Sequence, residues 1–187
     1  MKTIAVIDLD GTLLTTDSFR LYLLRHMTPG LAFWSAVRTV GVISGNTFCE
    51  MAHRRLSGCL EDEKTLARDL DFLERQVNVG LLAFIKKRLS RTEVLIVSAS
   101  PHEYVSALAG RLGFTGYGSR WVDGVYFHCR GMNKLALIEK EYPSASHEYF
   151  LSLNDSREEH RLFERFTHNF LWNGDLDVLT DAFGLLT

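Results

Sequence analysis

Two carboxylates stand two residues apart near the start of the chain, in Asp8-Leu9-Asp10-Gly11-Thr12. In an extended segment side chains two apart share a face, so Asp8 and Asp10 present paired negative charge on one side. The preceding Ile4-Ala5-Val6-Ile7 is a run of four apolar, mostly β-branched residues. Bounded by Asp and Gly, such a run reads as a strand buried on both faces in the middle of a parallel sheet. The acids then fall at that strand's C-terminal end, the edge over which ligands bind in open α/β sheets. Paired acids there are a poor choice for stability alone, and a positive group, a metal ion above all, must offset them. Gly11 lets the backbone approach an anion.

Placing those acids takes a sheet, and the downstream pattern supplies one. Asp17-Ser18 can cap a helix carrying Phe19, Leu21, Tyr22, Leu23 and Leu24, stopped by Met27-Thr28-Pro29-Gly30. The apolar stretch Leu31 to Ile43 is too short to span a membrane and reads as a buried helix, with an apolar substrate wall or an interfacial contact as alternatives. A third helix runs from Asn46 towards Leu56 and ends near Ser57-Gly58; a fourth runs from Glu61 to about Gln76. Asn78 to Ser90 is one more amphipathic helix.

From there strands and helices alternate. Glu93 to Val97 is a buried strand ending in Ser98-Ala99-Ser100-Pro101, and Pro101 suits the first turn of a helix reaching about Leu112. Gly113 to Ser119 allows a third strand, and Trp121 to Phe127 reads as a hairpin around Asp123-Gly124. A helix passes through Ala136, Leu137 and Ile138, and Glu148 to Leu153 is a fourth core strand stopped by Asn154-Asp155-Ser156. A helix around Leu162-Phe163 and a last strand, Asn169 to Trp172, follow. The pattern predicts an α/β fold with a doubly wound parallel sheet, a core from residues 1–14 and 79–187, and an all-helical cap over residues 15–78 above the active edge.

With 21 basic and 23 acidic residues among 187, the formal net charge of -2 leaves no polycationic footprint, so nucleic acid is not the expected partner. Cys49, Cys59 and Cys129 match neither a zinc site nor a disulfide framework; they read as structural thiols in a reducing, cytoplasmic setting. The apolar run before Asp8, Ile4 to Ile7, is only four residues long, too short for a signal-peptide core, and no membrane span is expected. The seven histidines form no spaced metal cluster. Oligomeric state stays open.

Asp8 and Asp10 after the first strand, Ser98 after the second, Lys134 opening a later helix and Asp155 after the fourth occur in an order that resembles the haloacid dehalogenase superfamily, over almost the whole chain. The helical insertion after the first motif resembles the cap of its phosphoserine-phosphatase-like branch. The resemblance implies a Rossmann-like core and a phosphatase in which Asp8 attacks phosphorus and Asp10 serves as acid and base. It implies Mg²⁺ held by Asp8, Asp155 and the backbone carbonyl of Asp10, with Ser98, Ala99, Lys134, Gly11 and Thr12 around the phosphate of a small phosphorylated substrate. Its dehalogenase members lack the second acid, so Asp10 favours phosphoryl transfer over carbon-halogen cleavage.

Two departures matter. The last motif reads Asn154-Asp155-Ser156-Arg157-Glu158-Glu159, where the family commonly has a final Asp, so Glu159 is expected at the metal directly or through water. Asp17 stands where phosphoserine phosphatases have an acid that contacts the substrate amine, but it is shorter and doubles as a helix cap. The aromatic, apolar cap also resembles the branch that includes phosphatidylglycerophosphate phosphatases. Arg54, Arg55 and Arg130 can bind a second anion or serve as solvated faces. Amino-acid, sugar, nucleotide and glycerolipid phosphates all stay open as substrates. So do a phosphate-binding or regulatory protein with little turnover, and a phosphotransferase or mutase using the same residues.

Overall fold

The structure, a computed structural model, describes residues 1–184, with side chains as far as Asp181. The chain runs β1 (Lys2–Ile7), α1 (Ser18–Arg25), α2 (Pro29–Thr39), α3 (Gly45–Glu61), α4 (Glu63–Glu74), α5 (Val79–Arg88) and β2 (Glu93–Pro101). Then come α6 (His102–Leu112), β3 (Thr115–Val122), β4 (Val125–Phe127), α7 (Met132–Glu141), β5 (His147–Asn154), α8 (Arg157–Leu162), β6 (His168–Leu171) and α9 (Leu176–Gly184). The six strands form one sheet in the order β4-β3-β2-β1-β5-β6. All neighbours pair in parallel except β3 and β4, which form an antiparallel hairpin. Asp123 and Gly124 at its tip both have positive φ, the backbone that an Asp-Gly hairpin turn requires.

β1 lies between β2 and β5, and its alternating side chains separate two layers. Ala5 and Ile7 pack with Leu81 and Ile85 of α5 and with Val105 and Leu108 of α6. Ile4 and Val6 pack with Leu95, Val97, Leu137, Ile138 and Phe163 on the other face. Burying each such aliphatic side chain contributes roughly 1.5–3 kcal/mol, so a central strand sealed on both sides is a rigid platform for whatever follows it. The β1–β5 register shifts between Ile4 and Ala5, which pair with Tyr149 and Leu151. This irregularity switches faces: Tyr149 belongs to the second cluster, whereas Leu151 and Leu153 belong to the first.

The helices α1–α4 leave and rejoin the sheet through one narrow neck. Thr15 donates from its N–H to the Gln76 carbonyl (3.0 Å), Asn78 to Leu13 (2.9 Å), and Leu14 bridges Val77. A second tie joins α3 to α6, where the buried His53 Nε2 meets a Glu103 carboxylate oxygen at 3.2 Å.

Several local expectations are corrected. α3 does not stop at Ser57-Gly58 but continues to Glu61, because Leu56 and Leu60 both seat in the core and hold the last turn in register. Pro101 is the N-cap of α6 rather than a residue of its first turn, its φ of -52° still suited to a helix entry. α2 is not a buried helix: Leu31 is its only buried residue, and Phe33, Val40 and Val42 along the same apolar stretch are exposed. Leu31 and the partly buried Trp34 seat one face of α2 against the core, and that face suffices to hold it. No expectation covered α9.

If α3 passes through Gly58 as an ordinary helical turn, Ala there removes a backbone-entropy cost without a clash, since a Cβ at this position meets nothing within 4 Å. Gly58→Ala should raise stability by about 0.5–1 kcal/mol in urea unfolding. A loss of stability would contradict the continuous helix.

Candidate active site

Beyond Ile7 the chain keeps one more ladder bond, from Asp8 N–H to the Leu153 carbonyl (2.9 Å), and then turns. The turn is made at Gly11, with φ +72°. A Cβ at Gly11 would overlap the Asp155 carboxylate, so the missing side chain is what lets the end of β5 close against the end of β1. The consequence is a cavity of about 440 Å³ whose lining includes Asp8, Asp10, Gly11, Asp17, Ser98, Ala99, Lys134, Asp155 and Glu159. Thr12, expected beside them, is buried behind the wall and its hydroxyl has no protein partner.

Lys134 is 2% exposed, in the first turn of α7. Its Nζ donates to Asp8 Oδ1 at 3.0 Å and to Glu159 Oε2 at 2.6 Å. These partners, acting against burial, hold the ammonium charged well beyond its ordinary range. Glu159, expected at the metal, is thus found as a counter-ion of Lys134: its longer side chain, rising from the first turn of α8, reaches across to the ammonium. Asp8 Oδ1 also accepts from Leu9 N–H at 2.9 Å. Burial nevertheless pushes Asp8 up to about 7, with Lys134 opposing and Glu159 and Asp10 reinforcing the shift. Asp155, within hydrogen-bonding reach of Asp8, is likewise raised by burial.

Asp10 is fixed differently. Oδ1 accepts from Ser18 N–H (2.6 Å), while Oδ2 accepts from the Ser98 hydroxyl (2.9 Å) and the Ser100 hydroxyl (2.7 Å). Ser98, expected on the phosphate, therefore turns its hydroxyl proton to Asp10 and accepts from Ser100 N–H (3.0 Å). Ser18 and Ser100 had no marker in the sequence beyond their places beside a helix cap and a strand end. Asp17 lines the cavity and also caps α1, accepting from Arg20 N–H at 2.8 Å.

Of the arginines singled out in the sequence, only Arg130 lines the cavity. Arg54 lies over the Trp121 ring and pairs with Glu50, and Arg55 lies over Trp34. Arg38, on α2, lines the cavity instead, as do Cys49 and His128. Burial raises the Cys49 thiol pKa, with Arg38 and Arg130 both opposing.

Among the described residues no three His, Cys, Asp or Glu side chains are grouped to hold a metal ion. A cation here would rest on the Asp8 and Asp155 carboxylates, main-chain oxygen and water. That donor set suits Mg²⁺, which keeps several waters, better than an ion needing a closed cage of side chains. Burial is the main cause of the raised pKa values of Asp8 and Asp155, with Glu159 adding to both and Lys134 opposing, and a cation beside them would favour their ionised forms.

A family model described as haloacid dehalogenase-like hydrolase matches residues 5–152. Among curated proteins, none matches this sequence. Among solved structures, a protein of unknown function from Bordetella pertussis Tohama I is similar, with a TM-score of 0.70 at 17% identity over 99% of this chain and 96% of that one. A HAD family hydrolase from Salmonella enterica subsp. enterica serovar Typhi has a TM-score of 0.68 at 14% identity, covering 96% of this chain and 65% of that one. A phosphoserine phosphohydrolase-like protein from Francisella tularensis subsp. tularensis SCHU S4 has a TM-score of 0.54 at 17% identity, covering 88% and 83%. At such identities these three share the fold. Among the described residues no helix is long and apolar enough to cross a membrane.

Removing Lys134 leaves two buried carboxylates facing each other. In Lys134→Met, studied with chelator present, stability should fall by about 3 kcal/mol at pH 8. The loss should shrink towards pH 5. In the fold Asp8 keeps its proton up to about 7 even with Lys134 present, against 3.8 ordinarily, so acidification neutralises the stranded charge. Urea unfolding at the two pH values measures this; an equal loss at both would contradict a charge-balancing role.

Proposed function

Because the chain belongs to the haloacid dehalogenase-like hydrolases, we propose that it is a Mg²⁺-dependent phosphomonoesterase that works through an aspartyl-phosphate on Asp8. One observation carries this reading: the buried ammonium of Lys134 fixes one oxygen of Asp8 at the rim of a cavity that Asp10 and Asp155 also line. An ionised carboxylate is a usable nucleophile without further activation. Lys134 and Leu9 N–H, both on Oδ1, fix the orientation of the Asp8 carboxylate.

In the first step Asp8 forms a bond to phosphorus while the ester P–O bond breaks, and Asp10 gives its proton to the departing alkoxide. In the second, Asp10 takes a proton from water, the water oxygen attacks phosphorus, and the bond to Asp8 breaks to release inorganic phosphate. Ser98, Ser100 and Ser18 hold Asp10 in one orientation through both steps, so it need not reorganise between its acid and base roles. Mg²⁺ bound by Asp8 and Asp155 would supply the charge that lets an anionic nucleophile and a phosphate dianion approach. Lys134 would also offset charge on the phosphoryl oxygens, and Ala99 and Gly11 would border the phosphate.

Replacing the nucleophile tests the reading. Asp8→Asn should lower phosphate release from an aryl phosphate by at least about a thousandfold. Chelation should abolish it, and Mg²⁺ should restore it. Full activity in either case would remove the mechanism.

A further inference from the structure

A second cavity, of about 570 Å³, adjoins the catalytic one and shares Asp17, Phe19, Arg38 and Cys49 with it. It lies among α1, α2 and α3, and its apolar lining is Phe19, Leu23, Leu24, Met27, Leu31 and Phe48. Leu31 and Phe48 are buried, whereas Leu24 and Met27 are 59% and 41% exposed. Helix side chains of this kind normally close a helical layer on itself; here they border open space. Arg38 stands at the junction of the two cavities, and among the described residues no carboxylate pairs with it. Its guanidinium lies 5.8 Å from the Phe48 ring, so an apolar stem and a charged head share one boundary.

We propose that this second cavity receives an apolar chain of the substrate, making the preferred ester an amphiphilic phosphomonoester with its phosphate among the acids and its hydrocarbon part among α1, α2 and α3. The inference rests on the phosphomonoester reading of the adjoining site. The junction fits such a molecule: Arg38 meets the anionic end, and beyond it an apolar wall of Phe19, Leu23, Leu24, Met27, Leu31 and Phe48 faces the space, with Arg20, Ser35 and Thr39 as the polar part of the lining. A short, fully polar ester would leave the apolar wall of the second cavity hydrated. Burying methylene groups there strengthens binding with each carbon added, until the cavity is filled.

Binding of n-alkylphosphonates, which carry no cleavable ester, separates this inference from turnover. Titration calorimetry with Mg²⁺ would compare ethyl-, hexyl- and decylphosphonate, the last below its micelle concentration. Affinity should rise about tenfold or more from ethyl to hexyl, with an increasingly negative heat-capacity change. Ser35, half-buried on the cavity wall, provides the control. In Ser35→Trp the ratio of hexyl to ethyl affinity should fall towards one, and Met27→Glu, at the exposed rim, should do the same by placing charge there. Equal affinity at every chain length would overturn the inference, and so would a chain-length dependence that both variants leave intact. Failure to release phosphate from any ester would count against the hydrolase reading alone, since these titrations do not need turnover.

Discussion

A single buried ammonium, Lys134, sits between two carboxylates, Asp8 and Glu159, at the end of the central strand. Taking three charged groups out of water costs several kcal/mol for each ion, and the attraction among them recovers that only when the geometry is good. Here the hydrogen bonds from Nζ are 3.0 and 2.6 Å long, and Asp8 gains a further one from Leu9 N–H. Even so the cluster is not neutral. Asp155 stands within reach of Asp8, and Asp10 adds its own repulsion, so the fold carries an excess of negative charge at the place where a phosphate would have to bind. In the function proposed here, that imbalance is what a bound cation would offset.

The remaining architecture holds this imbalance in place. β1 is sealed on both faces by separate apolar clusters, which anchor the strand that carries the charges. Gly11 leaves the space that Asp155 enters, and α1, α2 and α3 bring Phe19, Arg38 and Cys49 to the same cavity. The two acids of the opening motif are then distinguished by their surroundings rather than by their chemistry. Asp8 faces an ammonium and a second carboxylate, whereas Asp10 faces hydroxyl groups and one backbone N–H. Such a difference is what a division into nucleophile and proton carrier needs.

Much of this was legible in the sequence because it depends on local pattern. Apolar runs closed by Asp8, Ser98 and Asp155 mark strand ends, and Asp123-Gly124 marks a hairpin by its backbone requirement alone. The family assignment and the α/β sheet follow from those signals. What escaped depends on contacts between distant segments. Ser57-Gly58 looks like a helix stop, yet Leu56 and Leu60 anchor the turn that contains it. The apolar run at α2 suggests burial, but hydropathy does not say which element covers a helix, and here little does. Glu159 carries no mark of its bond to Lys134, twenty-five residues away, and Arg38 resembles a solvated charge until the fold turns it towards the cavity. Ser100 could be read only as a strand-end residue, although its hydroxyl orients Asp10.

The most direct measurement is to capture the phosphoryl group on the enzyme. Brief reaction with a phosphomonoester and Mg²⁺, followed by borohydride reduction and peptide mass spectrometry, converts an acyl phosphate of aspartate to homoserine. The charge cluster predicts homoserine at residue 8, dependent on both substrate and Mg²⁺ and lost in Asp8→Asn. Phosphate release with Asp8 unmodified, or reduction at another residue, would contradict it.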